Sequence, residues 1–172
     1  DVYPGASEFV SDGVDSDCDG SETCYEDADD DGYRTLTGTT VQSTDDFDCL
    51  DPGEAQPSDP ATDCDDSDAT IHPGASEGIG DELDQDCDNM EICYADADDD
   101  GYWDAGDLTV ISSDTDCTDA GEATSSESGG DCDDSDANVN PGVAEVVSDA
   151  VDNDCDGFES CYADVDNDGY AA

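Results

Sequence analysis

Acidic residues recur at every second position in three copies of one short segment. The copies read CYEDADDDGY from Cys24, CYADADDDGY from Cys93 and CYADVDNDGY from Cys161. Carboxylates at loop positions 1, 3 and 5, a glycine at position 6 for the sharp turn and a backbone carbonyl at position 7 are typical of a calcium loop. The predicted ligands are Asp27, Asp29, Asp31 and Tyr33; Asp96, Asp98, Asp100 and Tyr102; and Asp164, Asp166 and Asp168. Only the middle copy has an acid at position 12, Asp107, which we add to that ligand set.

A second acidic loop precedes each of these segments. In the first copy Glu26 falls at position 12, where a bidentate carboxylate closes an EF-hand-type loop. Alanine stands there in the other two copies, so we expect Asp96 or Asp164 next door to close those loops. The predicted ligands are Asp15, Asp17, Asp19 and Glu26; Asp84, Asp86 and Asp88; and Asp152, Asp154 and Asp156.

A third type of acidic loop runs from Asp63 to Glu77 and from Asp131 to Glu145. Its predicted ligands are Asp63, Asp65, Asp66, Asp68 and Glu77 in one copy, and Asp131, Asp133, Asp134, Asp136 and Glu145 in the other. Glu8 would close a further copy whose start lies outside the sequence. His72 takes a position that Tyr3 and Asn140 hold elsewhere, so we do not expect it to be a shared ligand.

Oxygen ligands favour calcium, magnesium or manganese over zinc or copper, and flexible loops rich in carboxylates suit calcium best. A single loop of this kind could be a solvated acidic turn, since Asp and Gly favour turns. The recurrence of the loops in register favours metal sites, because so dense a negative charge would otherwise hold the chain apart. We expect about seven to nine calcium ions with EF-hand-like ligand geometry. The sequence lacks the flanking helices of an EF-hand.

The composition limits the function classes. The chain has 53 acids against one Arg and no Lys, a formal net charge of −52, which excludes binding to nucleic acid or to an anionic membrane. Large apolar residues are too few for apolar burial alone to fold the chain. Ten cysteines predict a disulfide framework in an oxidising compartment, so we expect a secreted, extracellular or cell-surface protein. No apolar run is long enough to span a bilayer.

Tandem repeats organise the chain. YPGASE from Tyr3 returns as HPGASE from His72 and as NPGVAE from Asn140, with steps of 69 and 68 residues. We therefore expect three repeats, 1–62, 63–130 and 131–172, with the first cut at its start and the third at its end. Either the sequence belongs to a longer array, or a neighbouring chain supplies the missing halves.

Secondary-structure signals are weak. Residues 35–44 and 107–112 are rich in β-branched side chains and predict one or two short strands per repeat. Residues 55–61 and 122–130 indicate exposed turns or loops, and 143–151 could form a helical turn. The predicted fold class is a set of small, irregular, loop-rich tandem repeats, stabilised by calcium and disulfides. We expect short β-strands, an elongated shape and little helix.

Two disulfide schemes fit the cysteine spacing. The local scheme, which we favour, pairs Cys18 with Cys24, Cys49 with Cys64, Cys87 with Cys93, Cys117 with Cys132, and Cys155 with Cys161. The alternative links Cys24 with Cys49, Cys64 with Cys87 and so on, and leaves Cys18 and Cys161 for partners elsewhere. The absence of CxxC knuckles argues against zinc. The recurring tyrosines and Trp103 are expected to pack against the disulfides.

The linked motifs resemble the bacterial metal-binding repeat of MopE-like surface proteins, and are similar in style to thrombospondin type 3 calcium repeats. The resemblance rests on DCDDSD from Asp63, PGASE from Pro73, DQDCD from Asp84 and YADADDDGY from Tyr94. It implies a secreted, calcium-filled, disulfide-stapled rod or stalk. The family commonly has a cysteine just after PGxxE, where this chain has Phe9, Gly78 and Val146, and this departure supports a local bridge. Copper binding, known for one member, is not carried over, because no matching residues can be assigned.

The functional hypothesis is a calcium-binding structural segment of a surface fibre, filament or stalk, with self-association or continuation into a longer array. The alternative is a polyanionic protein that sequesters metal or nucleates mineral. We expect no enzymatic activity, because no nucleophile, base and orienting group form a recognisable set. Ser and Thr in 35–44 and 123–128 could carry O-linked glycans.

Overall fold

The computed structural model describes residues 1–44, 46–165, 167 and 169. This part of the chain contains eight short strands and no helix, and four disulfides staple it. The small, loop-rich, disulfide-stabilised fold predicted from the sequence is thereby confirmed. None of the described residues forms a helix that could cross a membrane. The chain divides into two compact units, unit 1 with Asp1–Glu77 and Asp84–Asn89, and unit 2 with Gly78–Leu83 and Met90–Ala172.

Unit 1 is built around a three-stranded antiparallel sheet in the order β2-β1-β3. Its strands are β1 (Glu22–Asp27), β2 (Thr40–Ser43) and β3 (Gly53–Ala55). The central strand buries Glu22 and Cys24 on one face, and Cys24 bonds to Cys49. A carboxylate and a disulfide therefore occupy the inward positions that aliphatic side chains usually fill in a strand.

Unit 2 repeats this sheet in the order β6-β4-β7 and adds a parallel pair, β5 with β8. The bounds are β4 (Ile92–Asp96), β5 (Tyr102–Asp104), β6 (Thr109–Ile111), β7 (Gly121–Ala123) and β8 (Ser128–Asp131). The Tyr94 ring of β4 stacks on the Trp103 ring of β5, with the centroids 4.4 Å apart. This stack holds the parallel pair against the sheet.

The strand predictions are partly confirmed. Strands β2 and β6 lie within 35–44 and 107–112, as expected. The interpretation of 122–130 as a loop is wrong, because β7 and β8 extend into it, and β3 reaches the first residue of 55–61. The predicted helical turn at 143–151 is also wrong, since turns and bends without helix occupy that stretch. Strands β1 and β4 were not predicted, because their buried positions lack aliphatic side chains. Each strand has an inward-facing Cys, and a buried Glu begins β1 and directly precedes β4.

The core contains few hydrocarbon side chains. Among the described residues eight hydrophobic side chains are buried, and half of them are disulfide cysteines. They are Cys24, Cys49, Ala55, Ile71, Cys93, Cys117, Ala123 and Val139. The six buried carboxylates of the described residues outnumber the four remaining apolar residues, which reverses the usual composition of a protein interior.

The favoured disulfide scheme is wrong. The bonds join Cys24 to Cys49, Cys64 to Cys87, Cys93 to Cys117 and Cys132 to Cys155, at sequence separations of 23 to 25 residues. Cys18 and Cys161 are free and exposed. Strands β1 and β4 place Cys24 and Cys93 on the buried face of each sheet. Each of these cysteines bonds to a cysteine of a distant loop, Cys49 or Cys117, instead of closing a six-residue turn.

Candidate metal centres

The DxDxDG loops start where the central strands end. Asp27 is the last residue of β1, and its carboxylate accepts hydrogen bonds from the N–H groups of Asp31 (3.3 Å) and Gly32 (3.1 Å). Asp96 ends β4 and accepts from Asp100 (3.2 Å) and Gly101 (2.9 Å). The two glycines have φ of 91° and 89°, a conformation that other residues rarely adopt, so the backbone can turn around the first carboxylate.

The third loop type supplies the other side of the first site. Asp66 accepts a hydrogen bond from the N–H of Ala28 (3.1 Å), and oxygens of Asp27, Asp29 and Asp66 lie within 4.8 Å of one another. Asp63 is held beside them by a parallel bridge to Thr35. We call this group cluster 1, and it consists of Asp27, Asp29, Asp31, Asp63 and Asp66.

Unit 2 builds the same arrangement from β4 and β8. Asp131 is the last residue of β8, and Asp134 accepts a hydrogen bond from the N–H of Ala97 (2.9 Å). Asp104 on β5 pairs in register with Asp131, where unit 1 has Thr35 opposite Asp63. Cluster 2 consists of Asp96, Asp98, Asp100, Asp131 and Asp134. Sequence reasoning treated each cluster as two separate loops, because local spacing cannot show that residues some 35 positions apart share a site.

Several carboxylate oxygens in the clusters are buried without a hydrogen-bond partner. They are Asp29 Oδ2, Asp31 Oδ2 and Asp63 Oδ2 in cluster 1, and both oxygens of Asp98 and Asp131 Oδ2 in cluster 2. Asp63 is 1% exposed and Asp131 is fully buried. Burying an ionised oxygen without a partner costs several kcal/mol, on the order of 2–7 even for a neutral polar group. These buried oxygens therefore indicate that the clusters bind a ligand.

Among the described residues, no cationic side chain neutralises the clusters. Arg34, the chain's one basic side chain apart from His72, lies with its guanidinium carbon 4.0 Å from the centroid of the Tyr25 ring and donates to the carbonyl of Asp59. Burial, followed by the charge of Asp31, raises the pKa of Asp29 to about 6. Burial, followed by the charge of Asp100, raises the pKa of Asp98 to about 6 in the same way. At neutral pH the clusters are ionised groups of like charge, which a divalent cation would stabilise.

Burial is the main cause of raised pKa values in the rest of both clusters. It raises the pKa values of Asp27, Asp63, Asp66, Asp131 and Asp134. The charge of Glu26 adds to this effect at Asp66, and the charge of Asp104 adds to it at Asp134. Glu26, predicted to close the loop from Asp15, thus lies beside cluster 1, and Asp104 is a cluster 2 neighbour that sequence reasoning missed.

The glutamates of the PGxxE motif lie against the second loop type. Glu8, Glu77 and Glu145 accept hydrogen bonds from the N–H groups of Asp17 (2.7 Å), Asp86 (2.8 Å) and Asp154 (3.2 Å). The first residues of these loops, Asp15, Asp84 and Asp152, each accept two backbone hydrogen bonds. Glu8 therefore lies against the Asp15 loop in the same way that Glu77 and Glu145 lie against the loops that start at Asp84 and Asp152.

Most of the remaining predicted ligands are exposed. Hydrogen bonds from Ser21, Thr70 and Asn138 side chains lower the pKa values of Asp19, Asp68 and Asp136. Asp65 and Asp133 accept from serine hydroxyls, Asp156 accepts from a backbone N–H, and Asp107 accepts from the Trp103 indole at 3.3 Å. Asp88 is exposed, and Asp164 accepts from Gly169 N–H. Tyr33 and Tyr102 donate their N–H groups to Asp31 and Asp100, while Asp166 and Asp168 lie outside the described residues.

The structure gives His72 and the cysteines no part in the clusters. The His72 ring stacks on Tyr33 at 5.2 Å between centroids, and its Nδ1 faces the carbonyl of Pro73. Cys24 and Cys49 approach Glu54, and Cys64 and Cys87 approach Asp63, but all four are in disulfides and offer no thiolate. The chemistry of the donor set is therefore carboxylate oxygen, which favours hard cations.

Glu22 is the main residue that sequence reasoning missed. It begins β1 and is fully buried, with one oxygen lacking a hydrogen-bond partner. The signal was present, since a glutamate follows the first aspartate of the second loop type by seven residues in every copy, as Glu22, Glu91 and Glu159. The EF-hand template directed attention to position 12 instead of position 8.

Comparison with known families agrees with this geometry. A family model named Cu-binding MopE, described as "Putative metal-binding motif", matches residues 1–22, 63–91 and 131–159. Each matched segment ends on one of the three glutamates at position 8, and the DxDxDG loops from Asp27 and Asp96 lie outside the matches. No curated protein and no solved structure matches the chain significantly. The four disulfides indicate an oxidising environment.

Proposed function

We propose that this chain, which carries three copies of the metal-binding motif of the MopE-like family, is an extracellular calcium-binding structural protein. In this proposal calcium ions and disulfides replace the hydrophobic core, and the chain serves as a segment of a surface fibre, filament or stalk. The observation that carries the metal part is the buried, unpartnered Oδ2 of Asp63 and Asp131 inside five-carboxylate clusters.

Calcium fits the clusters better than other common cations. The side chains of each cluster are all carboxylates. Backbone hydrogen bonds to the first aspartate shape the loops, and these bonds do not impose a rigid octahedral geometry. Calcium accepts six to eight oxygen ligands at about 2.3–2.6 Å, whereas magnesium retains water and demands near-ideal octahedral geometry. Copper would prefer imidazole or thiolate, and neither group joins the clusters among the described residues.

Terbium luminescence tests the proposal at a single cluster. Trp103 follows Tyr102, whose N–H donates to Asp100, so light absorbed by this one tryptophan should excite terbium in cluster 2. We expect sensitised emission that calcium displaces at micromolar concentration while magnesium and copper do not displace it at the same concentration. Asp131→Asn should abolish the signal. The matched change Asp63→Asn, in cluster 1, should leave it, because Asp63 is not one of the cluster 2 carboxylates.

Bound metal should also be counted on the chelator-stripped, oxidised protein. Saturation at about seven to nine calcium ions, with a cooperative gain of near-UV circular dichroism, would support ions that build the fold. Emission that survives Asp131→Asn, or copper displacing terbium where calcium does not, would contradict calcium binding at cluster 2.

The structural part of the proposal is supported by the repeats and by the small core. Repeats that cannot bury apolar faces are stabilised by metals and staples, and their natural use is a quasi-linear array. Electron microscopy of the calcium-loaded protein should show assemblies larger than one chain. A uniform population of isolated monomers would contradict self-association while leaving the calcium sites untouched.

Exposed aspartates favour a second candidate function, the sequestering of metal or nucleation of mineral. Hydroxyl and amide hydrogen bonds keep Asp19, Asp68, Asp116 and Asp136 ionised at the surface. Such groups take up cations weakly and without saturation. An isotherm that continues to rise well beyond nine ions would favour this function, and one that ends near eight would count against it.

A further inference from the structure

Arg34, the chain's only arginine, contacts both residues of one Asp–Pro peptide bond. Its Nε donates to the backbone carbonyl of Asp59 at 2.8 Å, and its backbone N–H donates to the carbonyl of Pro60 at 2.9 Å. The Tyr25 ring lies with its centroid 4.0 Å from the guanidinium carbon and helps to hold the side chain in place. The one arginine of a chain with 53 acids is therefore used on a neutral carbonyl.

A tight turn fixes the Asp59 side chain. The N–H of Asp59 donates to the Gln56 carbonyl at 3.1 Å, and Asp59 Oδ2 accepts from the N–H of Gln56 at 2.8 Å. Pro57, inside this turn, holds its own φ at about −65°. Asp59 is partly exposed and Pro60 is exposed, so water reaches the bond between them.

An aspartate that precedes a proline is an internal nucleophile next to a good leaving group. A carboxylate oxygen of the aspartate reaches its own carbonyl carbon by closing a five-membered ring, and carboxylates are established nucleophiles in covalent catalysis. Proline makes the bond a tertiary amide, whose nitrogen leaves as a secondary amine. Negative charge develops on the carbonyl oxygen as the ring closes, and a cationic donor at that oxygen stabilises it. Arg34 Nε occupies this position.

We propose that Asp59–Pro60 is a self-cleavage site, in which Asp59 is the nucleophile and Arg34 stabilises the oxyanion. Asp59 Oδ1 bonds to the Asp59 carbonyl carbon, and the bond from that carbon to the Pro60 nitrogen breaks. The nitrogen keeps the electron pair and takes a proton from water. The hydroxide that remains adds to the cyclic anhydride of Asp59, which opens to two carboxyl groups. The net reaction consumes one water molecule and leaves Pro60 as a new N-terminus.

Unit 2 replaces both parts of this arrangement. Trp103 stands where unit 1 has Arg34, and Glu127–Ser128 stands where unit 1 has Asp59–Pro60. The turn itself is retained, because the N–H of Glu127 donates to the Thr124 carbonyl at 3.2 Å. The arginine and the Asp–Pro bond thus occur together in one repeat and are absent together from the other. An arginine that only bridged to a backbone carbonyl would require neither an aspartate nor a proline there.

The chain contains a second Asp–Pro bond, which provides an internal comparison. The Asp51 carbonyl accepts from the backbone N–H of Glu54 at 3.0 Å, and this donor is neutral. Pro52 is exposed, so water reaches this bond as well. A general lability of Asp–Pro bonds would cut both at similar rates, whereas the proposed site is cut faster at 59–60.

Mass spectrometry of the oxidised protein, incubated at neutral pH with calcium and then denatured, tests the site. The expected products are residues 1–59 and 60–172, which separate without reductant because none of the four disulfides in the described structure joins them. Arg34→Gln should slow the cut at 59–60 at least tenfold, since loss of one oxyanion donor costs about 10²–10³-fold. Asp59→Glu keeps the charge but enlarges the ring, and should slow the cut as well. Asp51→Glu is the matched control and should leave the rate unchanged.

Hydroxylamine adds a readout that a structural role of Arg34 would not produce. It intercepts the cyclic anhydride, so fragment 1–59 should carry a hydroxamate at Asp59 in place of a carboxyl group. Near-UV circular dichroism establishes that each variant is folded. If Arg34→Gln does not fold, Asp59→Glu and the comparison with the bond at 51–52 still decide.

The outcomes are independent of the proposed function, because none of them depends on which cation the clusters bind. A wild-type chain that stays intact, or that is cut equally at 51–52 and 59–60, would overturn self-cleavage. Cutting at 59–60 that persists unchanged in folded Arg34→Gln would do the same. Faster cutting at 59–60 than at 51–52, slowed by both variants and trapped as the hydroxamate, supports it.

Discussion

At the scale of single residues, the chain uses carboxylates where other proteins use aliphatic side chains. Glu22, Glu91, Asp63 and Asp131 are among the largest fully buried side chains in the described structure. The chain's single Arg is engaged by Tyr25 and a carbonyl, so the compensating charge must come from protons or from metal ions. The folded state is therefore sensitive to both.

The first prediction concerns pH. Burial raises the pKa values of Asp29 and Asp98 to about 6 from an ordinary value of 3.8, so the metal-free folded state binds more protons than the unfolded state between about pH 4 and 6. Its free energy of unfolding should then fall as pH rises through that window. Calcium competes with the same protons, so calcium affinity should rise over the same window. Urea unfolding with and without calcium, at several pH values, measures both. A metal-free stability that rises steadily from pH 4 to 6 would contradict this assignment.

A second prediction separates the two effects at one residue. Asp98→Asn removes a carboxylate whose two oxygens are buried without hydrogen bonds. The metal-free protein should become more stable, because like-charge repulsion with Asp100 is lost, while calcium affinity at cluster 2 should fall at least about tenfold. Asp119→Asn, outside the cluster, is a suitable control. Loss of stability in the metal-free variant would show that Asp98 has a partner other than a cation.

The aspartate spacing was readable from the sequence at this scale, and the glycine turns follow from it. What the sequence could not show is which loops share a site. Asp63 joins Asp27 only because a parallel bridge places residue 63 beside residue 35, and that pairing has no local signature. Glu22 was missed because a buried glutamate at a strand start does not resemble an EF-hand ligand.

At the scale of elements, the disulfides connect the central strands to distant loops. Cys93 on β4 bonds to Cys117, closing a loop with a sequence separation of 24 residues. The chain-entropy estimate for a loop of this size is about 3.5 kcal/mol. We predict that Cys93→Ser combined with Cys117→Ser lowers the free energy of unfolding by about that amount in saturating calcium.

Peptide mapping of the oxidised protein checks the connectivity directly. Thiol labelling should modify Cys18 and Cys161 and no other cysteine. A peptide that contains Cys18 bonded to Cys24 would restore the local scheme and contradict the structure. Spacing alone left both schemes open, because six-residue and 24-residue separations are each geometrically permissible until the strands are placed.

A third element-scale prediction concerns the parallel pair β5 and β8. Gly129 on β8 lies so close to the Trp103 indole that an added Cβ would overlap the ring, and the ring cannot retreat because it stacks on Tyr94. Gly129→Ala should destabilise unit 2 by about 1–3 kcal/mol. Gly106→Ala is the control, since its Cβ would meet only the end of the Asp104 side chain. Equal effects of the two changes, measured by tryptophan fluorescence during urea unfolding, would contradict this packing.

At the scale of the whole molecule, net charge decides whether the chain can be compact. The formal charge is −52 with a single Arg, and the buried hydrophobic residues are few. This composition predicted correctly that staples would replace an apolar core. It could not predict the strand order, because the strands are held by disulfides and carboxylates rather than by an apolar pattern.

The last prediction concerns removal of the metal. Chelation should expand the oxidised protein in low salt, because unscreened carboxylates repel one another. Added reductant should then raise the radius of gyration towards about 44 Å, the value expected for an unfolded chain of this length. Sodium chloride at about 0.15 M should reverse only part of the expansion, since it screens charges beyond roughly 8 Å but fills no site. Calcium at matched ionic strength should restore the compact state fully. Small-angle scattering measures the radius of gyration at each step. If sodium chloride restored the compact state as completely as calcium, general charge screening rather than bound ions would stabilise the fold.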